Sequence, residues 1–225
     1  MLSVIIPTLN AGDLLKPLLE SFSQARGLLP CEIIVADGGS TDNTYFVASQ
    51  GDAIFVEAQR GRGRQMSAGA EAAAGDWLLF LHADTHLNAN WIAVVTAFIA
   101  DATNQRRAGY FRLALDDDNR AARVLERIVA WRSRFLGLPY GDQGLLISRE
   151  MYESLGGFKG VALMEDVDIV RRIGRAHLVP LAATAITSAA KYRRDGYVLR
   201  PICNLLLLGL YRVGVPTRFL YSIYR

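Results

Sequence analysis

The sequence predicts an α/β fold, a doubly wound and mostly parallel sheet flanked by helices, on three observations. Short runs rich in Val, Ile, Leu and Phe alternate with helix-like stretches through the first half of the chain. Those runs are apolar without a break, as in strands buried on both faces, and turn residues bound them. Repeated strand–helix–strand order then implies right-handed crossovers and a largely parallel sheet. Such sheets take ligands beyond the carboxyl ends of their strands, and the chemically unusual residues of this chain fall at that edge.

The elements follow in order. Residues 3–7, 32–36, 53–57 and 77–81 are the strand candidates, and 13–24, 41–49 and 63–74 the helices between them. Pro17 is tolerable near the start of its helix but is expected to delay that start. Farther on, 90–100 and 119–135 read as helices with a strand at 109–115 between them. A strand at 144–147 leads into a helix at 149–155. Residues 165–173 form a helix whose acidic first turn and Arg171, Arg172 and Arg175 at its end suit the helix dipole. A last amphipathic helix is expected at 197–213. No repeat or linker interrupts this order, so residues 1–225 read as a single domain.

Composition excludes several classes. With 51% apolar and 21% charged residues in 225, the chain is globular and long enough for a sizeable core. Cys31 and Cys203 lie far apart with no CxxC or Cys/His spacing, which excludes a zinc site and a disulfide framework and fits a reducing cytoplasm. The N-terminus lacks the pattern of a secretory signal, and the apolar stretch 201–211 is too short to span a bilayer, so a soluble protein is expected. Charge is unevenly placed. Residues 171–225 hold ten Lys/Arg and one acid, Asp195, against fifteen basic and twenty-one acidic residues before them. A basic end on an acidic body suits phosphate groups or an anionic membrane face. No nucleic-acid-binding pattern accompanies the charge, so nucleic acid is not an expected partner.

Five stations carry chemistry. Asp37-Gly38-Gly39-Ser40-Thr41-Asp42 follows the second strand; Asp37 can accept hydrogen bonds from a base or ribose, and the turn serves equally as a helix cap. Arg60-Gly61-Arg62-Gly63-Arg64 can set guanidinium and backbone N–H groups by a diphosphate, or be a solvated basic loop. His82-Ala83-Asp84-Thr85 ends the fourth strand, where Asp84 can hold a divalent cation on hard oxygen or cap the next turn; His82 reads more simply as a buried or hydrogen-bonded imidazole. Gly141-Asp142-Gln143-Gly144 can line an acceptor pocket or form a plain turn. Glu165 and Asp166 open a helix, and adjacent positions do not share a helix face, so their jobs differ. A carboxylate there suits proton abstraction from a hydroxyl, or only complements the helix dipole.

In this order the stations resemble the family 2 glycosyltransferases of the GT-A fold, over roughly residues 2–175. Val4-Ile5-Ile6-Pro7-Thr8-Leu9-Asn10 is similar to the family's first strand and loop. Gly75-Asp76-Trp77 through Asp84 resembles the strand leading to its metal-binding DxD, with His82 in place of the first acid. Gly156-Gly157-Phe158 and Glu165-Asp166 resemble its acceptor-side signature. The resemblance implies that Pro7, Thr8, Asn10 and Asp37 contact the nucleotide, with Arg64 beside them. It implies Mg²⁺ or Mn²⁺ on Asp84, with His82 as a softer neighbouring ligand. Asp166 is then the general base, and Glu165 orients the acceptor or stabilises the loop.

The implied activity is inverting, metal-assisted transfer of a sugar from a nucleotide diphosphate donor to a hydroxyl acceptor. The basic and aromatic residues beside the apolar stripe of the C-terminal segment permit contact with a membrane surface, and so a lipid-linked acceptor, but periodic apolar stripes more often pack on the protein's own core. Residues 1–115 would form the nucleotide-sugar half, 116–190 the acceptor half and 191–225 the basic, apolar tail. A catalytically silent nucleotide-sugar binder is the alternative that His82 motivates. A nucleotidyltransferase would want a basic, Gly-rich loop after the first strand, and residues 7–12 hold no basic residue.

Overall fold

The computed structural model describes residues 1–23 and 27–224; Gln24, the last position expected in the first helix, lies outside them. The chain runs β1 (Leu2–Thr8), α1 (Gly12–Ser23), β2 (Cys31–Asp37), α2 (Thr44–Gln50), β3 (Ile54–Glu57), α3 (Arg62–Ala72) and β4 (Trp77–Phe80). It continues through β5 (Thr85–Leu87), α4 (Trp91–Ala100), β6 (Ala108–Leu115), α5 (Arg120–Leu136), β7 (Leu145–Ser148) and α6 (Arg149–Ser154). Then follow α7 (Glu165–Ile173), β8 (Leu178–Thr187), α8 (Ala190–Asp195), α9 (Leu199–Arg212) and α10 (Thr217–Tyr224).

Among the described residues, eight strands join one sheet in the order β3-β2-β1-β4-β7-β6-β8-β5. Strands β1 to β4 are mutually parallel, and β6 is parallel to β8. Strand β7 runs antiparallel to both β4 and β6, and β5 antiparallel to β8. The sheet is therefore mostly parallel, with helices on both faces.

The unbroken apolar runs are explained by those two covered faces. Val4, Ile6 and Leu79 point into a core closed by α1, α2 and α4 through Leu15, Phe22, Val47 and Trp91. Ile5, Leu78 and Phe80 point the other way, against Met66 of α3 and Ile169 and Val170 of α7. Each such side chain, fully buried, stabilises the fold by about 1.5–3 kcal/mol.

Four elements were not expected from sequence. Strand β8 carries Pro180 and several alanines, which mask its β character, yet from Leu181 to Thr187 inward and outward positions alternate strictly. Its register against β6 shifts beside Pro180, where that residue's missing N–H is accommodated. Strand β5 has only three residues, and α8 and α10 are short and weakly patterned. Two boundaries also move. Helix α1 begins at Gly12, so Pro17 sits inside it and does not delay its start. Helix α2 begins at Thr44 instead of residue 41, because the Asp42 carboxylate accepts the Thr44 backbone N–H and holds the preceding residues in a turn.

Candidate active site

The site lies where the carboxyl ends of β1, β4, β6 and β8 meet the entrance of β7. Phe80, at the end of β4, pairs with Leu145, the first residue of β7, which places the Gly141–Gln143 turn beside His82 and Asp84. Thr85 pairs with Thr187, and their hydroxyls lie 2.8 Å apart. Ser188 donates its backbone N–H to the Asp84 carbonyl at 3.1 Å, so the end of β8 fixes the Asp84 loop.

Two connected spaces open there. A cleft of about 640 Å³ is lined by Pro7 and Thr8 of β1, Arg60 and Arg64 before and in α3, and Asp84. That volume suits a nucleotide-sized ligand. A smaller chamber of about 130 Å³ is lined by Tyr140, Asp142, Asp166 and Thr187, with Asn204 and Leu207 of α9. Arg62, His82, Asp84, Glu165 and Lys191 line both. Asp84 thus stands at the junction, with Asp166 on the chamber side.

Asp166 is held by the loop opposite. Its Oδ2 accepts the Gly141 N–H at 2.9 Å, and its Oδ1 accepts the Val167 N–H at 2.7 Å. Met164, in the left-handed region at φ 67, turns the chain sharply into α7 and sets Asp166 and Glu165 in different directions. Glu165 is buried at 3% exposure and pairs with Arg62 at 3.1 Å. Burial pushes the Glu165 carboxyl up, and the Arg62 guanidinium opposes that rise. Glu165 therefore locks α7 against the start of α3.

Two buried polar atoms in these walls, His82 Nε2 and Asp142 Oδ1, have no hydrogen-bond partner. A β-carbon at Gly141 would come within 2.7 Å of His82 Nε2, so that nitrogen faces the turn closely. Burial, with the Arg62 charge, drives the imidazole down to about 3 and keeps it neutral. Burial drives the Asp142 carboxyl up to about 6, Arg132 opposing and the Asp166 and Asp84 carboxylates reinforcing. Gln143 points elsewhere: it is buried, accepts from Ser133 and donates to the Phe111 carbonyl at 3.0 Å. It secures the turn to α5 and β6 and does not line the chamber.

Asp37 and Asn10 tie the loops after β1 and β2 to each other. Asp37 is 4% exposed and accepts from the Thr8 hydroxyl, the Ser40 hydroxyl and the Gly39 and Ser40 backbone amides. Asn10, at φ 51, accepts the Thr41 N–H and donates its own N–H to Ser40. Neither lines the cleft or the chamber, so the two shape the floor under Pro7 and Thr8. Gln65, which the sequence did not single out, ties that floor together. Its side-chain amide donates to the carbonyls of Thr8 and Ala36 across β1 and β2. A glutamine inside a helix carries no sequence signal for such a role. Lys191, which the sequence offers along with Arg193 as a residue closing over the diphosphate, lies 3.4 Å from Asp84, and Arg62 of the basic run contributes to both spaces; the acid that each one pairs with is visible only in three dimensions.

The residues present fit a divalent cation in one way. Among the described residues no group of three His, Cys, Asp or Glu could hold a metal by itself; Asp84, which lines both spaces, would offer one hard carboxylate oxygen to such an ion. A diphosphate in the adjoining cleft has the chemistry to complete such a site.

Known proteins resemble this chain at two levels. A sequence profile for glycosyl transferase family 2 matches residues 3–145. PGL/p-HBAD biosynthesis glycosyltransferases of Mycobacterium bovis and Mycobacterium tuberculosis are 38% identical over 110 residues, covering 45% of this chain and 42% of each relative. The match thus spans less than half the length of those relatives. In fold, the chain is similar to glucosyl-3-phosphoglycerate synthase from Mycobacterium tuberculosis, solved with Mn²⁺, UDP and glucosyl-3-phosphoglycerate. The TM-score is 0.62 at 20% identity, over 96% of this chain and 81% of the other. Staphylococcus aureus TarS gives a TM-score of 0.60 at 17% identity, over 82% of this chain and 57% of the other. Since the profile covers more than half of the chain, from β1 to the entrance of β7, the protein belongs to glycosyl transferase family 2.

Proposed function

We propose that the protein transfers a sugar from a nucleotide diphosphate donor to a hydroxyl acceptor by direct displacement, with inversion at the anomeric carbon. The observation that carries this reading is the position of Asp84 between the larger cleft and the chamber that holds Asp166. The donor lies in the cleft, its nucleotide against Pro7 and Thr8 and its diphosphate between Arg64 and Asp84. Asp37 and Asn10 support it from beneath. Asp84 would hold a divalent cation, Mg²⁺ or Mn²⁺, which when bound would supply positive charge to neutralise the diphosphate leaving group. The Mn²⁺ and UDP of the similar fold support both assignments.

Asp166 then accepts the proton of the acceptor hydroxyl as its oxygen bonds to the anomeric carbon. The bond from that carbon to the diphosphate oxygen breaks on the opposite side, and the diphosphate leaves with the electron pair. Holding both reactants across the Asp84 junction supplies the proximity on which the rate depends. Glu165 positions α7, and Asp142 faces the acceptor. Residues 1–115 chiefly serve the donor and 116–190 the acceptor, with 191–225 closing over both.

The acceptor is lipid-linked, which the basic, apolar C-terminal segment supports. Among the described residues no helix is long and apolar enough to cross a membrane, so contact would be with the surface. The test is a donor screen by thermal shift with UDP and GDP sugars, with and without Mn²⁺, followed by NMR of the product. A product that retains the donor's anomeric configuration would overturn the displacement. Donor binding without transfer to any hydroxyl would point to a silent binder.

A further inference from the structure

We propose that the outer faces of α5 and α9 form one docking surface for an anionic phospholipid bilayer. Helix α5 has two opposite rows. Ala122, Leu125 and Val129 are buried, whereas Val124, Ile128, Trp131 and Phe135, at spacings of one helix face, are 53%, 56%, 55% and 50% exposed. A helix packed on a sheet and facing only water presents polar residues on that row. Here four large apolar side chains stand in a line, with Trp131 and Phe135 rings 6.0 Å apart. A contiguous apolar row of this kind marks an interaction site.

Helix α9 repeats the arrangement. It turns Leu207 and Leu208 inward and leaves Leu205 and Leu206 66% and 62% exposed. Contacts through flanking residues tie the two helices together near both ends. Tyr197, just before α9, donates to Asp117, just before α5, at 2.7 Å. Near the other end, Leu208 of α9 shares an apolar cluster with Leu138, just beyond α5.

Charge selects the occupant. Arg127 and Arg134 are exposed on α5 among the apolar row, and Arg212 and Arg218 are exposed at and beyond the end of α9. The acid of α5, Glu126, is turned inward to the Leu115 N–H and Arg123, and no acid follows Asp195. A second copy of this face would set arginines against arginines without carboxylates, which costs association. An anionic headgroup layer satisfies the arginines while the acyl boundary takes the Trp, Phe and Leu side chains. The same α9 lines the chamber with Asn204 and Leu207, so the bilayer would lie about one helix diameter, roughly 10 Å, from the acceptor. In that respect the inference rests on the transferase reading and deepens its lipid-linked acceptor.

The experiment is co-sedimentation of the full chain with vesicles of phosphatidylcholine alone and of phosphatidylcholine with phosphatidylglycerol. Binding is expected only to the second, weakening with salt. The pairs Ile128→Glu/Trp131→Glu and Leu205→Glu/Leu206→Glu should each lower vesicle affinity roughly tenfold or more. Arg127→Gln/Arg134→Gln should lower it and flatten its salt dependence. Circular dichroism and melting of the free variants establish that they are folded, and their UDP thermal shift should match that of the unsubstituted chain. Failure to bind anionic vesicles, binding indifferent to all three pairs, or a solution dimer that the Glu pairs dissolve would overturn the proposal. Vesicle binding without any nucleotide shift would instead sink the transferase reading and leave the surface standing.

Discussion

Asp166 is tethered to Gly141: the carboxylate Oδ2 accepts the glycine N–H at 2.9 Å, so the proposed base is aimed by the turn that bears Asp142. An Asn at this position keeps one acceptor oxygen but takes up no proton. Asp166→Asn should therefore lower kcat by roughly 10²–10⁴ while leaving donor affinity intact. Nucleotide release in the presence of acceptor, together with UDP calorimetry, checks both halves of this statement.

Asp84, the proposed metal ligand at the junction, is the partner of Lys191 at 3.4 Å. Mn²⁺ should tighten UDP binding, and chelation should reverse the effect. In Asp84→Ala the metal-dependent gain should fall by at least roughly tenfold, about 1.4 kcal/mol. Titration of UDP with and without Mn²⁺ reads it directly; an unchanged metal effect removes Asp84 from the site.

Asp142 makes stability depend on pH. Burial lifts its carboxyl from 3.8 to about 6, so the folded chain keeps a proton that the unfolded chain has released. The stability linked to that proton is complete below the unfolded value and is lost as pH rises through about 6. Asp142→Asn does not ionise. Relative to the unsubstituted chain it should gain about 1–3 kcal/mol between pH 5 and pH 7.5, measured by urea unfolding.

Gln65 donates to two buried carbonyls, of Thr8 and Ala36, at the ends of β1 and β2. Gln65→Leu fills the space and leaves both acceptors without that donor. The expected cost is about 1–3 kcal/mol, seen as a lower urea midpoint. UDP affinity should fall with it, because the Thr8 backbone forms the cleft wall.

The donor side was legible because parallel strands buried on two faces leave continuous apolar runs, each ended by a distinctive turn. Asp84 and Glu165-Asp166 could be picked out for the same reason: acids at a strand's end and a helix's start stand out against apolar neighbours. Strand β8 could not, since Pro180 and its alanines carry little β preference and its pairing with β6 is a tertiary fact. The partners of Arg62, Gln65 and Lys191 were illegible for another reason. Each of these three residues acts through a partner distant in sequence, respectively Glu165, Thr8 with Ala36, and Asp84. Asp37 shows the limit of reading by type: an acid after a strand has several uses, and here its own loop supplies three donors and Thr8 of β1 a fourth.

Strand β7 enters the sheet against the direction of β4, and this has a consequence for how the chain comes to be competent. The seam Trp77–Phe80 with Leu145–Ser148 draws on residues as late as Ser148, so during synthesis it forms after the pairing of β1 with β2 and β4 is available. A slip of one residue there would swap the faces of Leu145 to Ser148 and shift the turn ahead of them. A growing polypeptide thus has its nucleotide floor long before it has a working centre, and errors in this single zipper would yield compact but inert molecules.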